Sequence, residues 1–127
     1  MAGLEEALFA LLEADTAVAA QAGQRIHPVA APQDVPRPFV VYKITGRTPF
    51  APITGAVTLA RARITITAWG DEWKQARDLG DAIAAALDGY DGSGTIQSGR
   101  LVAVAEGYDS NAGLFGRSLD VNLIHTE

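Results

Sequence analysis

Cysteine is absent from the 127 residues. Disulfide scaffolds, thiolate zinc sites and thiol chemistry go with it. Histidine is scarce: His27 and His125 stand far apart, so a metal site would have to gather carboxylates from scattered loops. No metal or cofactor is expected, and both histidines read as surface residues. No apolar run approaches the roughly 20 residues that a bilayer span needs, so no membrane partner is expected. The opening Met1-Ala2-Gly3-Leu4-Glu5-Glu6 carries acids where a signal peptide carries bases, which predicts a soluble chain made in the cytoplasm. Basic residues are outnumbered, 10 against 15, for a net charge of −5. That balance disfavours a general grip on DNA but leaves room for a basic strip on one face.

What is present is enough for one folded domain, residues 1–127, with 48% hydrophobic and 20% charged residues. Leu4, Leu8, Leu11 and Leu12 fall on one face of an opening helix that runs to about Ala14. Asp15 or Thr16 can cap a further short helical turn through Ala20, ended by Gly23. Four prolines between Ile26 and Pro38 (Pro28, Pro32, Pro36, Pro38) read as an extended surface connection. Phe39–Thr45 is a β-branched and aromatic strand, followed by a long loop, Gly46–Gly55, that exposes Phe50 and Ile53. Thr58–Trp69 alternates cleanly: Ala60, Ala62, Ile64, Ile66 and Ala68 point one way, Arg61, Arg63, Thr65 and Thr67 the other. Asp71 reads as the N-cap of a helix Glu72–Leu87 with an apolar stripe at Ala76, Leu79, Gly80, Ile83 and Leu87. Strands at Leu101–Ala105 and Leu114–Ile124 follow, separated by the turn-rich Tyr108–Gly113. The expected fold is α+β: a mostly antiparallel four-stranded sheet with helices on one face, in the order α-β-β-α-β-β.

Enzyme signatures fail on context. Gly92-Ser93-Gly94 follows a helix, whereas a nucleophile elbow needs a strand before it and a helix after. A calcium loop counted from Asp88 meets Gly99 where an acid is required, and no Gly-Lys-Ser/Thr phosphate loop exists. Asp78 and Asp81 lie near Lys74 and Arg77 on the solvent side of the helix, where ion pairing explains them. Trp69 and Trp73 flank a strand-to-helix joint and read as packing residues. The features left over are an exposed apolar loop and a sheet face bearing Arg61 and Arg63, with Lys43 or Arg117 as possible neighbours. Both suit a protein–protein surface better than a catalytic cleft.

Taken in order, several segments resemble the tail-completion, or tail-terminator, family of long-tailed bacteriophages and gene transfer agents. They are the Leu-rich opening helix, Gly23-Gln24-Arg25-Ile26-His27-Pro28, Pro36-Arg37-Pro38-Phe39-Val40-Val41-Tyr42, Ala60–Gly70 and Gln75–Ile83. The resemblance runs through nearly the whole chain. It implies a non-enzymatic virion protein that forms a ring, typically a hexamer, on the head-proximal end of the tail tube. Such a ring stops tube polymerisation, offers a surface to the head-completion proteins of the connector, and lets DNA pass through its lumen. The expected partners are therefore other copies of the chain, the tail tube protein and a connector protein, assembled in the host cytoplasm. Candidate interface residues are Arg47, Phe50, Ile53, Arg61 and Arg63; the arginines of the strand face would meet acids of a neighbouring subunit, and the loop would order against it. The alternatives are a head-completion or connector ring, and a small ligand-binding domain using Trp69 and Trp73.

Overall fold

The computed structural model describes residues 3–32, 34–49, 59–92 and 94–126. Helix α1 (Leu4–Ala14) buries Leu4, Leu8 and Leu12, a strict i, i+4, i+8 stripe. Asp15 ends α1 and starts α2 (Thr16–Ala22): its carboxylate accepts from the Ala17 and Val18 amides, both at 3.1 Å. Gly23, at φ 58°, closes α2 with its own amide on the Ala19 carbonyl.

Strand β1 (Ile26–Pro28) runs parallel to β2 (Phe39–Pro49). β2 is antiparallel to β3 (Leu59–Gly70), and after helix α3 (Trp73–Leu87) come β4 (Ile96–Asp109) and β5 (Leu114–Thr126). β5 pairs antiparallel with both β3 and β4, which gives the sheet order β1-β2-β3-β5-β4. The architecture is therefore a five-stranded mixed sheet with three helices. This corrects the expected four-stranded antiparallel sheet and its α-β-β-α-β-β order, which omits α2 and β1. β1 escapes a sequence reading because it is three residues long and ends on a proline. An edge strand tolerates the missing N–H, while the same residue in sequence signals a connection.

The predicted alternation along β3 holds: Ala60, Ala62, Ile64, Ile66 and Ala68 are buried against the helices. The α3 stripe is the expected one, with Ala76, Leu79, Gly80, Ile83 and Leu87 all buried. Two local readings change. Glu72, not Asp71, precedes α3, with no side-chain cap; the Asp71 amide instead donates to Gln75 Oε1 at 2.8 Å. His125 is fully buried rather than on the surface. β5 continues past Ile124, and His125 takes an inward position opposite Ala60 and Ile96. Its Nδ1 lies 3.0 Å from the Thr126 carbonyl.

Candidate assembly surface

All three helices pack on one face of the sheet, and among the described residues no helix covers the other. Residues directly opposite one another share a face, so the register decides what that open face carries. Arg61, Arg63, Thr65 and Thr67 of β3 stand opposite Ile124, Asn122, Asp120 and Ser118 of β5. Lys43 of β2 lies opposite Thr65, and Arg100 of β4 opposite Asn122. Asp109 of β4 lies opposite Leu114, so the strand residues of this face carry four bases, Lys43, Arg61, Arg63 and Arg100, against two acids, Asp109 and Asp120. That is a net +2 on a chain whose total is −5. Arg63 reaches Asp120 of its own chain at 3.5 Å, and Thr65 donates to the same carboxylate at 2.8 Å. Thr67 and Ser118 share a hydrogen bond of 3.1 Å. Toward one end, Phe39, Val41, Thr67, Trp69 and Leu114 line a shallow apolar groove.

Of the other candidates, Arg47 is exposed on β2 opposite Ala62, which puts it on the helix-side face beyond a bulge at Thr45. The segment Gly46–Pro49, read as loop, is strand. Phe50 and Ile53 lie outside the described residues. Arg117 does not join the arginines of β3. It stands opposite Ala68 on the helix side, where its guanidinium bridges Asp81 of α3 and Glu106 of β4. Its alkyl stem fills the space where a Cβ at Gly80 would sit, so the helical glycine admits an arginine rather than the sheet backbone. Trp69 and Trp73 do not make one platform. Trp69 covers Gly116 on the open face, whereas Trp73 donates to Glu106 on the helix side at 2.8 Å, with Arg77 over its ring at 5.0 Å.

Hydrogen bonds from Arg117 and then from Trp73 hold the Glu106 carboxyl below its ordinary value. Lys74 and then Arg77 do the same for Asp78. Both groups have depressed values in the fold. Their contribution is therefore present above the ordinary carboxylate range, near pH 4.3 for Glu, and is lost as the pH falls through the folded value. Glu106→Gln is expected to flatten the acid limb of the melting temperature against pH between about pH 5 and 3. An unchanged slope in thermal melts across that window would remove Glu106 from the account.

Part of each side of the sheet is closed by backbone hydrogen bonds. Along β1, the Val40 amide donates to Arg25 and the Val29 amide to Tyr42, each at 2.8 Å, so residues 39–42 of β2 are covered. Along β4, residues 88–92 lie against the first half: Gly89 bonds Gly99, Gly99 bonds Tyr90, and Gly92 bonds Gln97. The Leu101 amide donates outward to Asp88 at 2.9 Å. Beyond a bulge at Val102, no described segment pairs with the outer edge of residues 102–109, and Val102, Val104 and Tyr108 are about half exposed. Sequence reading missed this edge. Leu101–Ala105 reads only as a strand, nearly all apolar, and the order of strands shows that it lies at the rim.

A family model described as tail completion protein gp17 matches residues 6–126. The fold is similar to that of a chain in a structure described as the virion of a native gene transfer agent (GTA) particle. The TM-score is 0.73 and the identity 18%, with 98% of this chain and 95% of that chain covered. No curated protein matches the chain at a significant level.

Proposed function

From the premise that the chain belongs to the tail completion protein gp17 family, and so is a structural protein of a phage-type tail, we propose that it forms a ring on the head-proximal end of the tail tube. The ring stops tube growth and presents a surface to the connector, and DNA passes through its lumen. The observation that carries this reading is the helix-free sheet face with its net +2 on an acidic chain. Helices on one side and a basic sheet on the other suit a wall with a protein exterior and a polyanion inside. Few bases per subunit keep the attraction weak, as a strand in transit requires. The fold shared with a chain of a gene transfer agent virion supports a structural role in a virion.

The direct test is mass in solution by light scattering, over a concentration series, followed by addition of purified tail tube protein. A discrete ring, alone or on tubes, together with tubes of fixed length is the expected result. A monomer that never joins tubes overturns the reading, and binding to portal-side proteins alone would favour a connector ring. A charge variant examines the lumen separately. Arg61→Glu with Arg63→Glu takes the open face from +2 to −2, since each exchange changes the charge by two. Capping should persist, while retention of short duplex DNA by the ring at low ionic strength should disappear in a mobility assay. Equal retention by the variant would move the DNA path away from this face.

A further inference from the structure

We infer that the outer half of β4 (102–109) takes up an extended strand of a different protein, one that carries a base between two apolar residues on its helix-side positions. The inference goes beyond the ring reading. It needs only that the chain is a structural protein of a tail, with other proteins to hold.

Exposed apolar side chains gather at this corner of the molecule. Among the described residues, the large hydrophobic side chains that stand in solvent are Val29, Trp73, Val102, Val104 and Tyr108, and all but Val29 meet here. Val104, Glu106 and Tyr108 lie opposite Leu119, Arg117 and Phe115 on the helix side of the sheet. The Trp73 indole is brought there from the start of α3 by its bond to Glu106, and the Tyr108 ring lies 4.8 Å from that of Phe115. Scattered exposed apolar residues are ordinary, but a contiguous set with Trp and Tyr marks a protein contact.

The backbone of the same segment is open. Gly99 turns both its N–H and its C=O outward, to residues 90 and 89, and the Leu101 amide turns outward to Asp88. The bulge at Val102 shifts that alternation by one, so Val104, Glu106 and Tyr108 direct their N–H and C=O groups away from β5. No segment among the described residues closes them, and residues 102–109 have neither the proline nor the lysine that commonly blunts an edge. The opposite edge is blunted. Pro28 has no N–H, the Ile26 amide folds back on Gln24 at 2.8 Å, and the Ala30 amide on Pro28 at 2.7 Å. The β2–β3 connection leaves the sheet at Pro49, in the row of Ala60 and His125. Val104 lies in the row of Leu119, six residues along β5 and about 20 Å away at roughly 3.4 Å each.

Charge selects the partner. Residues 88–109 form this rim and hold four acids, Asp88, Asp91, Glu106 and Asp109, against one base, Arg100, which faces the helix-free side. A strand laid on the edge puts alternate side chains beside Val104, Glu106 and Tyr108. Apolar groups suit the outer two positions and Lys or Arg the central one. There Glu106 is about half exposed, and each of its oxygens keeps a lone pair after the bonds from Arg117 and Trp73. On the other side the strand meets Ala103, Ala105 and Gly107, which leave room for large side chains. Another copy's β1 is blunted, and its β4 would bring acid to acid.

The probe is a fluorescent peptide, Thr-Val-Thr-Lys-Thr-Val-Thr, added to the full chain at low ionic strength and followed by anisotropy. It should bind, and the same peptide with Glu in place of Lys should bind at least about tenfold more weakly. Val104→Pro removes one outward donor while leaving the bonds to β5. It should weaken the Lys peptide about tenfold with an unchanged circular dichroism spectrum, whereas Val104→Thr, which keeps the N–H, should bind as the wild type does. Failure of the Lys peptide to bind, or equal binding by both peptides or by Val104→Pro, overturns the inference. Self-association that Val104→Pro abolishes also overturns it, since the occupant is then a second copy. Light scattering of the same samples with tail tube protein follows the ring separately. A ring without peptide binding removes only the strand site, and peptide binding without any ring removes only the ring.

Discussion

Gly99→Ala is expected to destabilise the fold by roughly 3 kcal/mol, the upper end of what an added methyl costs in a packed site. A Cβ at Gly99 would run into the Leu87 backbone carbonyl at the end of α3, with Leu123 Cδ2 close behind. A flexible side chain can swing away from such a contact, but this carbonyl is tied down, because it accepts the Tyr90 amide at 3.2 Å. Relief therefore means moving residues 88–92, the segment that closes the first half of the β4 edge through the Gly89–Gly99 and Gly99–Tyr90 bonds. The consequence reaches beyond stability: a variant that sheds this cover has a full-length open edge and should self-associate without closing into rings. Urea unfolding gives the free-energy loss, and light scattering gives the polydispersity. Wild-type stability in Gly99→Ala would mean that the helix end gives way freely.

Leu79→Ala should cost about 3–4 kcal/mol, from the lost transfer of its methyl groups and the cavity they leave. Leu79 is fully buried in the middle of the α3 stripe, against the inward face of the sheet. It is flanked along the helix by Ala76 and Gly80, which have little side chain to move into the gap. At this chain length the loss corresponds to a fall in melting temperature of about 10–15 °C. A drop of under about 3 °C would show that the layer between α3 and the sheet can collapse. Ring formation should fall with the population of folded chains and recover on cooling, since Leu79 is remote from both sheet edges.

Much of the fold is legible in local pattern. The Leu4, Leu8, Leu12 spacing, the alternation along β3 and the α3 stripe each follow from one period matched to one buried face. A helix or strand that is apolar on a single side has only one way to hide it. Asp15 and Gly23 mark helix ends because their chemistry is local: a carboxylate that reaches two amides, and a residue free to take a positive φ. The misreadings share a cause. β1 is held by pairing with β2 rather than by its own composition, His125 is buried because β5 runs on beside Ala60, and Arg117 turns toward Asp81 because Gly80 leaves room above it. Each depends on a partner distant in sequence.

The functional surface divides in the same way. That Arg61 and Arg63 share a face is fixed by the two-residue period of a strand, and the amino-acid order alone carried the resemblance to tail-completion proteins. Whether that face gains Lys43 and Arg100 and loses Arg117 depends on register, because sliding a strand by one residue turns every side chain over. Which strands lie at the rim depends on β5 inserting between β3 and β4. Edge and interior strands can have the same sequence pattern, since backbone hydrogen bonding is common to all residues. The two-residue period thus settled which arginines share a surface, and only the order and register of the strands decided what stands beside them.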